Sequence, residues 1–95
     1  MNERIRQLAD EAGLRFTQLM SNPMVPVVDG KETDLAKFAE LIVRECVNIC
    51  ETKRAEYTKL CKDADNFTDK NLYAEGEISA HRIRISIQEH FGVEL

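Results

Sequence analysis

Apolar positions along this chain follow helical spacing in three stretches and lose it in one. Between Asn2 and Gly13, Ile5, Leu8, Ala9 and Ala12 fall at i, i+3, i+4 and i+7, one face of a short amphipathic helix that Gly13 is suited to close. Phe16, Leu19 and Met20 prolong the apolar stripe, so the N-terminal helix is expected to span residues 1–20. The next segment, 21–33 (SNPMVPVVDGKET), breaks the pattern. Pro23 and Pro26 disfavour helix, and Asp29-Gly30 is a turn dipeptide. Its apolar residues Met24, Val25, Val27 and Val28 predict an extended strap lying on apolar surface, too short to form a sheet alone.

From Asp34 to Ala64 no Gly or Pro occurs, and Thr33 or Asp34 suits the N-cap. Leu35, Phe38, Ala39, Ile42, Cys46, Ile49, Cys50, Lys53, Tyr57, Leu60 and Cys61 form the main stripe of a helix about 45 Å long. Residues 65–69 (DNFTD) read as a turn in which Thr68 or Asp69 caps the next helix, 69–91. That helix carries Leu72, Gly76, Ala80, Ile83, Ile87 and Phe91 on one line and ends at Gly92. Ile83, Ile85 and Ile87 alternate as in a strand, but the length of the segment favours helix.

The expected fold is all-α and a single domain, 1–95: a short N-terminal helix, a proline-containing strap and a long antiparallel helical hairpin. A turn centred near Phe67 sets Ile83 near Glu51, Ile87 near Val47 and Phe91 near Val43, with Gly76 admitting a close approach near Thr58. Val43, Val47, Ile78 and Ile85 lie off the main stripes. So small a chain cannot bury two faces of each long helix, and a homo-oligomer follows, most simply a two-fold dimer forming a four-helix bundle.

Composition narrows the function classes. Apolar residues make up 43% and charged residues 32%, a globular balance. Net charge of −4 has the wrong sign for sequence-independent nucleic-acid binding. Prolines interrupt the place where QLADEAGL would need a recognition helix. No stretch is apolar enough for a membrane span or signal peptide, and the odd set of three cysteines suits reduced thiols in a cytoplasm.

Candidate chemistry is sparse. Cys46 and Cys50 share a helix face with Cβ atoms about 6 Å apart, too far for a disulfide. With His90 they would supply two thiols and an imidazole, one donor short of a zinc set, and they read as packing residues on the core stripe. His81 and His90 adjoin no nucleophile. Glu75/Glu77 and Asp63/Asp65 are two apart and diverge on a helix. The four glycines are isolated, so no phosphate loop is present. No catalytic residue, metal site or cofactor is expected, and the chain reads as a non-enzyme. Two surfaces stand out. Lys53, Arg54, Arg82 and Arg84, with His81, meet at mid-hairpin as a candidate anion site. The competing reading is a solvated face neutralised by Glu51, Glu56 and Glu77. Met24, Val25, Val27 and Val28 of the strap, with Ile78 and Ile85, form a candidate protein interface.

KFAELIVREC (37–46), VNIC (47–50) and the ending IQEHFGVEL (87–95), with the opening MNERIRQLADEAGL, resemble a widespread group of small proteins encoded by tailed bacteriophages. The resemblance covers about 40 of the 95 residues and brings no catalytic residue with it. It implies a phage accessory protein in the cytoplasm of the infected cell. Such proteins bind a host or defence protein, or sequester a nucleotide-like signal. The alternative from the residues is a structural protein that acts only by homo-oligomerising.

Overall fold

The structure, a computed structural model, describes residues 2–19 and 25–94. In chain order the elements are α1 (Glu3–Ala12), β1 (Arg15–Leu19), β2 (Val25–Asp29), α2 (Glu32–Asp63) and α3 (Phe67–Phe91). The range 1–95 holds two compact units, Met1–Ile42 and Val43–Leu95. The first turns of α2 belong to one and the remainder to the other.

In the first unit, the Asn2 side chain accepts from the Arg4 and Ile5 amides at 2.8 and 3.2 Å, capping α1. Gly13 ends the helix in the left-handed region at φ 98°, and the Leu14 amide reaches back to the Ala9 carbonyl at 3.0 Å. Leu8, Ala9, Ala12 and Leu14 are the buried residues here. The N-terminal helix therefore stops at Ala12, well short of 20. Arg15–Leu19 instead pairs antiparallel with Val25–Asp29, in the register Arg15 to Asp29, Phe16 to Val28 and Leu19 to Val25. Of the strap 21–33, Val25–Asp29 is extended as expected, but as one strand of a sheet, and Glu32 and Thr33 already belong to α2; residues 21–24 lie outside the described residues. The partner of that strand is the segment read from spacing as helix. The physical reason is pairing. Phe16 and Thr17 favour strand, and opposite them the valines supply a second β-prone run. Pro26 is tolerated because the pair is all edge. An Arg15–Asp29 ion pair of 2.9 Å closes the open end. Met24 lies outside the described residues.

The second unit is the hairpin of α2 and α3, where the two long helices were expected. Its turn is capped by Asn66 rather than Thr68 or Asp69: the Asn66 side chain accepts from the Asp69 amide at 2.8 Å. Substituting Asn66→Ala should cost about 1 kcal/mol of hairpin stability, read from the urea midpoint; an unchanged midpoint would show that the cap contributes nothing. Gly92 closes α3 at φ 65°, with the Val93 amide bonded to the Gln88 carbonyl at 3.0 Å.

Contacts along the hairpin fix its register. Glu51 meets Arg84, Arg54 meets Glu77, and the Cys61 thiol donates to the Lys70 carbonyl at 3.5 Å. At Gly76 a Cβ would sit 2.7 Å from the Tyr57 ring. The close approach read from Gly76 is present, against Tyr57 rather than its neighbour Thr58.

The main stripe of α2 is split by the orientation of the helices: Phe38, Ile42, Cys50, Tyr57 and Cys61 are half-buried, and its other members are exposed. Val43 and Val47, set aside as surplus, are buried at 6% and 4% exposure. Leu35, Ile49 and Leu60 of the main stripe are 59%, 62% and 43% exposed, and Cys46 is exposed rather than packed in a core. The α3 line is split in the same way: Ala80 is buried and Gly76 lies against Tyr57, whereas Leu72, Ile83 and Phe91 are exposed. On α2 the buried residues are Val43 and Val47, and the Tyr57 ring faces Gly76 of α3, where the absent side chain admits it.

Candidate functional site

Of the four cations, Arg54 and Arg84 come together around Glu51. The Arg84 Nε lies 2.9 Å from Glu51 Oε1, and Arg54 Nη1 lies 4.0 Å from the same oxygen. The Arg84 N–H is not aimed at that oxygen, so the contact is an ion pair without an aligned hydrogen bond. Arg54 Nε also approaches Glu77 Oε1 at 4.0 Å. Lys53 turns to Glu56 on its own helix at 3.3 Å. Arg82 is exposed on α3. The partners are the carboxylates of the competing reading, Glu51, Glu56 and Glu77. Interleaved in this way, the cations form a mixed-charge face in which an incoming anion would have to displace a carboxylate. Pairs as solvated as these each contribute about 0–1 kcal/mol.

His81 Nδ1 is buried without a hydrogen-bond partner among the described residues. The His90 ring stands edge-on to Phe91 at 4.9 Å. Among the described residues, no group of three or more His, Cys, Asp or Glu side chains is placed to hold a metal ion.

The apolar candidates divide between the units. In the first, Val25 and Val28 are exposed and Val27 half-buried. Beside them the Arg6 guanidinium lies 4.4 Å from the centroid of the Phe16 ring, a cation–π contact. Arg6, Phe16, Gln18, Pro26 and Val28 help line a shallow concavity there of about 440 Å³. In the second, Ile78 is half exposed and Ile85 half-buried near the C-terminal end of α3.

The larger surface is one the sequence reading assigned to the core. On α2, Cys46, Ile49, Lys53, Glu56 and Leu60 recur at alternating steps of three and four, and each is exposed. On α3, Leu72 and Ile83 form a parallel line. Each line is rotated about a quarter turn, in the same sense along its own chain, from the residues that join the helices. In an antiparallel pair that places both lines on one face of the hairpin. A concavity lined by Tyr57, Leu72, Gly76 and Ser79 opens on this face and spans the seam between the helices. The signal for it was present as the strongest stripe in the chain; the rule that the strongest stripe faces inward concealed it.

No helix among the described residues is long and apolar enough to cross a membrane. Comparison with protein-family models, with curated proteins and with solved structures gives no match to this chain.

Proposed function

We propose that the protein acts by binding rather than catalysis, as a helical module that assembles with itself and presents apolar surface to a protein partner. The observation that carries this reading is the exposure of Ile49 at 62% and Leu60 at 43% on α2, beside Leu72 at 61% and Ile83 at 54% on α3. Large aliphatics gathered on one face, rather than scattered singly, mark a contact surface. The pairing of Arg54 and Arg84 with Glu51 and Glu77 favours protein contact over sequestration of a small anion. The resemblance to small phage proteins supports a role as a phage accessory protein, with its partner among host or defence proteins in the cytoplasm of the infected cell. Val25 and Val28 on the β-hairpin and Ile78 on α3 are then the residues left to meet that partner.

Native mass spectrometry tests the assembly step. The chain is expected to appear as an oligomer, and a variant carrying Ile49→Glu and Leu60→Glu as a monomer with unchanged far-ultraviolet helicity. A monomeric parent chain at tens of micromolar overturns the reading.

A further inference from the structure

We infer that the exposed face of the hairpin is a two-fold, antiparallel seam for a second copy of this chain, with Lys53 of each copy set against Glu56 of the partner subunit. The inference rests on the self-assembly proposed above and specifies its register. Ile49 and Leu60 are eleven residues apart on α2, and Leu72 and Ile83 are eleven apart on α3. Eleven residues are about three helical turns, so both members of each pair project from the same side.

The midpoint of the first pair falls beside Arg54, and the midpoint of the second falls beside Glu77. Arg54 and Glu77 are themselves in contact across the hairpin, at 4.0 Å. The two midpoints therefore lie at one level, and a single two-fold axis running across the face serves both helices. About that axis Ile49 packs on the partner's Leu60 and Leu72 on the partner's Ile83, each contact occurring twice.

Charge follows the same symmetry. Lys53 and Glu56 lie on the same exposed line of α2, between Ile49 and Leu60 and on either side of the same midpoint. Their ammonium and carboxylate are 3.3 Å apart within one copy, and both side chains are more than half exposed. The axis that stacks the aliphatics sets Lys53 against the partner's Glu56, and Glu56 against the partner's Lys53. Opposite charges between Ile49 and Leu60 at the centre of the α2 line select this register over a slipped one, in which a charge would face an aliphatic side chain.

The test uses the full chain and two variants, Lys53→Glu and Glu56→Lys, with one of them isotopically labelled. Alone, each sets like charges against like at both symmetry-related positions, and its self-association should weaken roughly tenfold, read by sedimentation equilibrium. Mixed in equal amounts, the two should restore the parental affinity as a mixed-mass dimer in native mass spectra, an effect that fades at high salt. If the parent is dimeric while the variants associate as tightly as it does and mix statistically, the register is wrong and self-assembly stands. A monomeric parent overturns both.

Discussion

Val47→Asp should unfold the hairpin, whereas Ile49→Asp, two residues along the same helix, should leave it folded. By the hydrophobic spacing of the sequence the reverse would be expected, since Ile49 lies on the dominant stripe and Val47 beside it. The side chain of Val47 is 4% exposed and that of Ile49 is 62% exposed. A carboxylate at position 47 must either remain charged without water or bind a proton to stay buried, and it also forfeits the contacts of an isopropyl group. The combined cost is about 3 kcal/mol or more, a large part of the stability of so small a chain. At position 49 the carboxylate stays in water, and the direct cost to the fold is the lower helix propensity of Asp, about 0.5 kcal/mol. The comparison is made by urea unfolding followed through helicity, at low and at high protein concentration. Ile49→Asp should match the parent when dilute and fall behind it when concentrated, because only the concentrated parent gains stability from association. Equal loss for both variants in dilute solution would return Ile49 to the core and remove the seam.

That contrast also shows where the sequence was legible. Glycine closures were readable from local chemistry, since Gly13 and Gly92 close helices in the left-handed conformation and no Gly or Pro interrupts the long second helix, but the extent of α1 and the Asn66 cap of α3 were not. The close approach at Gly76 was readable because only a missing side chain permits it. The facing of the helices was not. Apolar residues cover more than half the circumference of α2, and which arc is buried depends on what α3 offers. Gly76 admits the Tyr57 ring of the opposing helix, a property of the pair that neither helix reveals alone. The strand pair was hidden for a similar reason. Phe16 and Leu19 continue the spacing of α1, and only their pairing with Val28 and Val25, across five intervening residues, makes the segment a strand. Among the cations, charge and level were readable, since Arg54 and Arg84 do converge. Their capture by Glu51 and Glu77 was foreseen as a competing reading, but it depends on side-chain geometry that charge counting cannot supply.

Gly76→Ala is the sharpest probe of the close approach, because two effects of opposite sign compete there. Within an exposed helix, replacing Gly by Ala stabilises by roughly 0.5–1 kcal/mol through the unfolded chain. At position 76 the new Cβ would lie 2.7 to 2.8 Å from three atoms of the Tyr57 ring, closer than real carbon contacts allow. A phenol ring is not the free end of a flexible chain, so either the ring swings out of the seam or the helices separate. Overpacking of this kind costs about 1–3 kcal/mol, which outweighs the gain in propensity, and net destabilisation of about 1 kcal/mol or more is expected. The cause is checked by a double-mutant cycle with Tyr57→Ala. Tyr57→Ala alone should destabilise by emptying the seam, yet in that background Gly76→Ala should turn stabilising, since the clash is gone and the propensity gain remains. A coupling of about 1 kcal/mol or more between the two substitutions, outside the additivity expected of independent sites, would locate the close approach at this pair of residues. If Gly76→Ala stabilises the unmodified chain, the helices are farther apart than the Tyr57 contact requires.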